Sequence, residues 1–352
     1  MTSGDSTAEP TAGRAPRPRS GPSIADVAAL AGVSSQTVSR VSTGAERVRP
    51  ETRDRVLAAM AELGYSPNHA ARALRYAHFE TIGVIAHRLA RTGEARTFEA
   101  VVEAARLEGY TVTLVDVQSP SSDDLTAAAA RLTHQAIDGL VIIRAEEQSP
   151  ETLALPARMP VVVSDSRFVT HHPAVATDQA AGTRAAVEHL LSLGHTTVHH
   201  LAGPADSSPA GLRVDSWRAC LVAAGRPVPQ IVRGDWSATS GYEQGLKIAQ
   251  DPEVTAVFCA NDEMAAGLYR ALHESGRSIP EDVSVVGFDD IPLAEHLWPP
   301  LTTVAQDFHA IGQELVDLLL RQIRDGDSLT DVRSLLPVEL VVRSSTAPPA
   351  SH

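Results

Sequence analysis

The chain has 352 residues, of which 43% are hydrophobic and 21% charged. This composition excludes a wholly disordered protein, and the length fits two or three compact units. The sequence has no run of about 18 apolar residues, as a membrane span requires, and its first residues lack the apolar core of a secretory signal. We therefore expect a cytoplasmic protein with no membrane partner.

The distribution of charge and the spacing of the cysteines limit the kinds of binding site that the chain can contain. The net charge is -13, but residues 1–78 carry 10 Arg against 7 acidic residues. A small basic part thus precedes a large acidic part, so the negative total does not argue against nucleic-acid binding by the first part. Cys220 and Cys259 stand far apart in apolar stretches without metal-ligand spacing, which predicts buried free thiols.

Residues 23–65 show the start and stop signals of three short helices. Ser23 and Asp26 form a capping-box pattern at the first helix, and Gly32 ends that helix about two turns later. Ser34 can cap the second helix. The segment therefore predicts a small helical unit that begins at the end of a polar tail.

The third helix and the flanking tail complete this N-terminal part. Residues 1–22 are rich in Pro, Gly, Ser, Thr and Ala, which predicts disorder. Pro50 can occupy the first turn of the third helix, and Gly64 can end it. The expected buried stripe of this helix is Val56, Leu57, Met60 and Leu63.

The outer face of the second helix indicates the function of the three-helix segment. Two helices joined by a tight glycine-containing turn form a helix-turn-helix when the second exposes hydrogen-bonding side chains. Val38 and Val41 fall on the inner side. The outer side offers Ser35, Gln36, Ser39 and Arg40. From spacing alone, the segment fits a DNA-binding helix-turn-helix and a plain three-helix bundle equally well.

From Thr81 onward, short apolar runs alternate with amphipathic helical segments. The runs are TIGVIA, TVTLVDV, DGLVII, VVVSD, TVHHLAG, TAVFCA and DVSVVGF. Strands separated by helices at this rhythm predict buried parallel sheets. The order predicts two such sheets, one before about residue 177 and one after it.

Two N-terminal segments read IADVAALAGVSSQTVSRV and PETRDRVLAAMAELGYSPNHAARALR. They resemble the headpiece and hinge of the LacI/GalR family of bacterial transcription repressors. The resemblance continues through LGHTTVHHLAGP, ANDEMAAG, DVSVVGFDDIPLAEHLWPPLTTVAQDF and STAPP, and so extends from Ser23 to Pro349. GDWSATSGY, PPLTT and QDF are similar to the lactose-repressor branch of that family.

The resemblance implies a fold and a division into domains. An N-terminal all-α helix-turn-helix headpiece should precede an α/β body of two doubly wound parallel-sheet lobes, of the periplasmic sugar-binding-protein type, with three crossing strands between the lobes. The expected parts are a tail (1–22), the headpiece (23–65), a hinge helix and linker (66–78), an N-lobe (79–176 and 306–330), a C-lobe (177–305 and 331–346) and a tail (347–352).

The resemblance also implies which residues contact DNA. Base contacts fall on Ser35, Gln36 and Arg40, which suits the pairing of Arg with guanine and of Gln with adenine. Phosphate contacts fall on Ser34, Thr37 and Ser39, although helix capping explains Ser34 at least as well. The implied minor-groove residues of the hinge are Asn68, Ala71, Arg72 and Leu74, with Leu74 as the wedge between base pairs.

The same resemblance implies an effector site between the lobes. Strand-end polar residues suit sugar hydroxyls, and an aromatic ring suits a sugar's C–H face. The implied contacts are Asp165, Arg213, Trp236, Asn261, Asp289, Gln306 and Phe308. A structural ion pair is the alternative for Arg213 and Asp289, and core packing is the alternative for Trp236.

Two departures from the family pattern affect the expected ligand and assembly. Arg91 and Glu94 stand where many members have an Asn-Pro-Phe-Phe segment, which puts charges near the cleft mouth and indicates an effector other than a simple galactoside. The chain stops at TAPPASH without a leucine heptad helix, so we expect a homodimer.

Other classes of function have weaker support. The sequence has no dinucleotide-binding, P-loop or nucleophile-elbow motif, and adjacent His pairs on a strand point to opposite faces and do not chelate one ion. We therefore expect no enzyme, cofactor or metal. The prediction is a nucleoid-associated repressor that a sugar releases from a palindromic operator. A corepressor-dependent or activating regulator and, from another class, a sugar-transport binding protein are the alternatives.

Overall fold

A computed structural model describes residues 22–42, 48–65, 78–117, 122–134, 136–143, 159–164, 172–326 and 329–350. The chain divides into two compact units after Ala77. The first unit contains α1 (Ile24–Ala31), α2 (Ser35–Ser42) and α3 (Pro50–Leu63). The expected hinge residues and Asp165 lie outside the described residues.

The ends of α1 follow the sequence signals. The Ser23 side chain accepts a hydrogen bond from the Asp26 N–H at 3.4 Å, and the Asp26 carboxylate accepts from the Ser23 N–H at 2.8 Å. Gly32 ends the helix with φ of +65°, a conformation that glycine adopts without a Cβ penalty. The capping box therefore fixes the start of the first unit.

The core of the first unit differs from the expected stripe at one position. Val27, Val38 and Val56 are fully buried and form its centre. Leu57, which was expected inside, is 49% exposed, and Ala59 is buried in its place. Residues three and four positions apart share a helix face, whereas Leu57 follows Val56 directly and is turned away from the core.

The second unit begins with the strands and helices of the N-lobe. In chain order these are β1 (Thr81–His87), α4 (Thr92–Leu107), β2 (Thr111–Val117), α5 (Ser122–His134), β3 (Gly139–Ile143), β4 (Val161–Ser164) and β5 (Ala174–Thr177). The strands pair in parallel. Strand β3 is buried along its whole length, as expected of a parallel sheet covered on both faces.

The chain then crosses to the C-lobe. Its elements are α6 (Gln179–Ser192), β6 (His199–Ala202), α7 (Ser208–Ala223), β7 (Val232–Arg233), α8 (Ala238–Ala249), β8 (Ala256–Cys259), α9 (Asp262–Glu274), β9 (Ser284–Asp289), a 3₁₀ turn (Ala294–His296) and β10 (Thr302–Gln306). Successive residues of β8 pack on opposite faces, with Val257 against α8 and α9 and Phe258 against α6 and α7. Helices therefore cover both faces of this sheet.

Two further crossings complete the body. Helix α10 (Phe308–Asp325) returns to the N-lobe, where Ile311 and Leu315 pack with Val101 of α4. It is followed by β11 (Arg333–Leu336) and β12 (Val338–Val341). The sheet orders are β11-β5-β4-β3-β1-β2 and β12-β10-β9-β8-β6-β7.

The last crossing lies later than expected. We expected the return to the C-lobe at about residue 331, but β11 pairs in parallel with β5 of the N-lobe and covers that strand's open edge. The return therefore falls between Leu336 and Val338. Strand β12 begins at the third crossing, whereas β10 ends at the second. The two strands therefore run in opposite directions and pair antiparallel in an otherwise parallel sheet.

Candidate functional site

Helix α2 separates its polar and apolar side chains. Val38 and Val41 are buried against the other two helices. The three side chains expected to read bases, Ser35, Gln36 and Arg40, are all exposed. The helix therefore presents hydrogen-bonding groups outward on a rigid support, which is the chemical requirement for reading base edges in a groove.

Two of the three side chains expected to contact phosphates, Ser34 and Thr37, also stabilise the start of the helix. The Thr37 N–H donates to the Ser34 hydroxyl at 3.2 Å, and the two hydroxyl oxygens lie 3.0 Å apart. Ser34 thus caps α2. Ser39 is half-buried, and its carbonyl accepts a hydrogen bond from the Ser42 hydroxyl at 2.9 Å.

In the body, Arg213 of α7 lies at the centre of a buried polar network. Its guanidinium lies between two rings, 3.7 Å from the centroid of Phe288 and 5.5 Å from that of Trp236. Arg213 is 1% exposed. Its Nη2 lies 3.6 Å from Asp289 Oδ1, and its Nη1 donates to the Ala260 carbonyl. A buried guanidinium needs such partners, because an unpaired buried charge is costly.

The network continues from Asp289 to two of the chain crossings. Gln306 Nε2 donates to Asp289 Oδ1 at 2.6 Å, and Gln306 Oε1 accepts from the Thr177 hydroxyl at 2.5 Å. Gln179 donates to Thr177 at 2.6 Å and accepts from Arg213 Nε at 2.8 Å. Thr177 ends β5 and Gln306 ends β10, so these hydrogen bonds tie the first and second crossings together.

Backbone strain is concentrated at the same place. Trp236, Asp289 and Asp290 have φ of +80°, +110° and +50°, a region that non-glycine residues rarely occupy. Each such residue costs about 1–3 kcal/mol and persists only where the surroundings fix it. Asp289 and Asp290 form a turn at the end of β9. The Asp290 carboxylate lies 2.8 Å from Arg343 Nη2, and this ion pair holds one side of the turn.

Asp262 holds the other side of the turn. Its carboxylate accepts from the Ile291 N–H at 2.9 Å and from the Thr303 hydroxyl at 2.5 Å. Burial raises the pKa of Asp262 well above its usual value, and the nearby negative charge of Asp289 raises this pKa further. Asp262 is thus a positioning residue for Asp289.

Two expected effector contacts have structural roles. The Asn261 side chain caps α9 by accepting from the Met264 N–H at 3.0 Å, and its Nδ2 donates to the Trp236 carbonyl at 3.0 Å. Phe308, at the start of α10, packs in the N-lobe core. The structure therefore brings Arg213, Asp289 and Gln306 together directly, with Asn261 and Trp236 beside them.

Sequence reasoning missed Thr177, Gln179 and Asp262. One signal was available, because each of them stands at or just after the carboxyl end of a strand, as the predicted contacts do. Within the described ranges, no group of three His, Cys, Asp or Glu side chains could hold a metal ion. No helix in those ranges is long and apolar enough to span a membrane.

Comparison with known protein families gives two matches. Residues 23–68 match the bacterial regulatory proteins of the lacI family, and residues 187–346 match a periplasmic binding protein-like domain. The chain is 39% identical over 329 residues to the lactose operon repressor of Escherichia coli (strain K12), covering 92% of this chain and 90% of that protein. It is 34% identical over 336 residues to the HTH-type transcriptional regulator CelR of Thermobifida fusca, covering 92% and 98%.

Solved structures agree with these matches. A lac repressor dimer bound to operator and the anti-inducer ONPF has a TM-score of 0.82 at 35% identity, over 93% of this chain and all of that one. A CelR–cellobiose complex has a TM-score of 0.70 at 32% identity, over 92% and 99%. The shared fold and the identity over nearly the full length lead to one conclusion: the chain belongs to the lacI family of bacterial regulatory proteins.

Proposed function

We propose that this protein is a homodimeric, sequence-specific transcription repressor that a sugar releases from a palindromic operator. The observation that carries the proposal is the network from Arg213 and Asp289 through Gln306 to Thr177 and Gln179. A ligand that bonds to Asp289 competes with hydrogen bonds that tie two chain crossings together. Ligand binding and the angle between the lobes are therefore physically linked.

The headpiece supplies the DNA contacts in this proposal. Arg40 can donate two hydrogen bonds to guanine, Gln36 can pair with adenine, and Ser35 can bond either base. Their exposure on α2 supports these roles. Ser34, Thr37 and Ser39 would position the headpiece on phosphates. The hinge residues Asn68, Ala71, Arg72 and Leu74 would enter the minor groove, with Leu74 opening a base step.

The cleft supplies the sugar contacts. A carboxylate and a guanidinium side by side match neighbouring sugar hydroxyls, which both donate and accept, and an indole face suits the sugar's C–H surface. Arg213, Asp289, Gln306 and Trp236 provide these groups. Asp165, Asn261 and Phe308 complete the proposed set. The CelR–cellobiose complex supports a sugar as the effector class.

The coupling follows from linkage between the two sites. Sugar binding shifts the lobes, separates the paired hinge segments of the dimer and weakens DNA binding. A coupling free energy of about 2–3 kcal/mol corresponds to a roughly 30- to 150-fold loss of operator affinity. The same architecture supports the opposite sign, in which the sugar is a corepressor. The protein acts in this way as a nucleoid-associated cytoplasmic regulator without catalysis, and the repressors among its relatives support that role.

Fluorescence anisotropy tests the proposal. A palindromic duplex from upstream of the protein's own gene is titrated with protein, first alone and then with mono- and disaccharides. We expect tight binding that one sugar reverses, while D289N still binds DNA but no longer responds. D215N, an exposed substitution on α7, is the matched control and should respond like the parent protein. Failure of every sugar to change DNA affinity would overturn the sugar-responsive function.

A further inference from the structure

A buried carboxylate holds the first residues of the second unit. That unit begins at His78, the last residue of the expected hinge and linker. The Asp138 side chain is 3% exposed, and its two oxygens accept from the Phe79 N–H at 2.8 and 3.0 Å. Its Oδ2 also accepts from the Thr81 N–H at 3.4 Å, and the Asp138 N–H donates to the Thr81 carbonyl at 2.9 Å. We call these four contacts the linker clamp.

Strand β2 holds the same residues from the other side of β1. The Thr111 N–H and hydroxyl donate to the Glu80 carbonyl at 2.9 and 3.1 Å, and the Thr111 and Thr81 hydroxyl oxygens lie 3.0 Å apart. Glu80 has a φ of +52°, a region that non-glycine residues rarely occupy. Such a conformation persists only where the surroundings fix it. The chain from Phe79 to Thr81 is therefore tied to both neighbours of β1.

The linker clamp and the proposed sugar site lie at opposite edges of the N-lobe sheet. Asp138 stands directly before β3, and Thr81 and Thr111 are the first residues of β1 and β2. These strands are parallel, so the linker clamp lies at the amino edge of the sheet. The cleft network lies at the carboxyl edge, where Thr177 ends β5. Asp138 therefore does not touch a sugar that is bound in the cleft.

Helix α10 connects the two edges. It begins two residues after Gln306, and its 18 residues span about 27 Å at 1.5 Å per residue. Near its other end, Leu319 and Ile323 lie over Gly139, the residue that follows Asp138. A Cβ added at Gly139 would lie 2.9 and 3.1 Å from their Cδ1 atoms, so these side chains pack directly on the backbone. One continuous helix therefore joins the second crossing to the backbone beside the linker clamp.

We infer that Asp138 is a positioning residue for the response to the effector, because it makes the start of the linker move with the N-lobe. This inference rests on the proposed function and names a residue for its regulation. With the linker clamp in place, a tilt of the N-lobe carries Phe79 along and changes the separation of the two hinge segments of the proposed dimer. Without it, the chain up to Phe79 can turn about Glu80. Asp138 thus contributes to the coupling free energy and not to sugar affinity.

Anisotropy and calorimetry on full-length D138A test the inference. The probes are the palindromic duplex and four sugars, namely glucose, galactose, lactose and cellobiose. We expect the releasing sugar to lower the operator affinity of the parent protein by about 30- to 150-fold, and that of D138A by less than about fivefold. D138A should still bind the duplex without sugar. Its sugar affinity without DNA should stay within about twofold of the parental value, because Asp138 and the cleft lie at opposite edges of the sheet.

Two further variants separate positioning from stability. Asp282 in the C-lobe also accepts from a backbone N–H, that of Ser278 at 2.7 Å. D282A therefore loses the same kind of hydrogen bond, and it should be released like the parent protein. D138N keeps one acceptor oxygen, so its response should lie between those of D138A and the parent.

The outcomes distinguish the inference from the proposed function. Release of D138A by the parental factor would overturn the inference and leave the proposed function standing. A D138A protein that loses sugar binding or duplex binding would show a structural role and would also overturn the inference. A parent protein that binds the duplex but that no sugar in the panel releases would contradict the proposed function as well.

Discussion

The headpiece helix and the body cleft hold their polar side chains in opposite ways. On α2, Ser35, Gln36 and Arg40 are exposed above a fully apolar inner face. In the cleft, Arg213, Asp289 and Gln306 are buried and bonded to one another. The exposed set adds contacts to a partner, whereas the buried set must exchange internal hydrogen bonds for those of a ligand. This difference predicts that binding at α2 leaves the internal hydrogen bonds unchanged, whereas binding in the cleft must rearrange them.

Exposed and buried polar side chains differ in what their removal costs. Removing a buried network member leaves its hydrogen-bonding neighbours unsatisfied, whereas groups near an exposed side chain can bond to water instead. Substitutions in the cleft should therefore lower the free energy of unfolding, and substitutions of Ser35, Gln36 or Arg40 should leave it nearly unchanged. The following predictions test this distinction, in order of decreasing effect.

The largest effect is expected at Arg213. R213L leaves Asp289 buried without its cation, and we expect the free energy of unfolding to fall by about 3–5 kcal/mol in urea titrations. R218L lies on the same helix with a side chain that is 51% exposed, and it should change that free energy by no more than about 0.5 kcal/mol. Adding D289N to R213L should recover part of the loss. An R213L protein as stable as R218L would contradict a tightly bonded cleft.

The next effect is expected on α2. R40A should weaken binding to the preferred duplex by about 1–3 kcal/mol and relax specificity at one operator position. Its free energy of unfolding should stay within about 0.5 kcal/mol of that of the parent protein, because Arg40 is exposed and water can replace its contacts. A base-substitution series measured by anisotropy checks the position. R55A, an exposed change on α3, should keep the parental base preference, and an R40A protein with unchanged preference would remove Arg40 from the reading set.

Buried His200 should make the body sensitive to acid. Burial lowers the pKa of His200 to about 3, and the positive charge of Arg213 contributes to that shift. The unfolded chain takes up a proton below about pH 6.5 while the folded protein does not, so stability should fall by about 2 kcal/mol from pH 6.5 to pH 5.

Two variants isolate this histidine. The His200 ring stacks on Phe258 with 4.8 Å between ring centroids, and H200F puts an apolar ring in its place. This part of the pH dependence should therefore disappear. H296Q replaces a histidine whose side chain is 72% exposed and should keep the parental dependence. Urea titrations at several pH values measure both. An H200F protein with the parental slope would assign the acid sensitivity to other groups.

The smallest effect is expected at the cap of α2. S34A removes the hydroxyl that accepts from Thr37, and headpiece stability should fall by about 1 kcal/mol. S34D supplies another good cap, so it should restore the melting temperature. If Ser34 also faces a phosphate, S34D should lower DNA affinity by charge repulsion while the headpiece stays folded. A stable S34A headpiece would show that the cap contributes nothing.

The sequence was sufficient where local signals decide the structure. The capping box at Ser23 and the glycine stops predicted the helix ends, and apolar runs predicted both parallel sheets. Leu57 was misplaced because it is only one residue beyond buried Val56, and one residue turns the side chain about 100° around the helix, which separates core from solvent. Thr177 and Gln179 were missed because their partner Gln306 is 129 and 127 residues away along the chain. Such a network exists only after the crossings bring the lobes together.

The central claim is that the sugar site and the DNA site are linked, and reciprocity tests it most directly. Calorimetry would measure the affinity of the releasing sugar for the full-length protein, first alone and then saturated with the operator duplex. Linkage requires the duplex to weaken sugar binding by the same factor by which the sugar weakens DNA binding, about 30- to 150-fold here. Equal sugar affinity with and without the duplex would contradict the account.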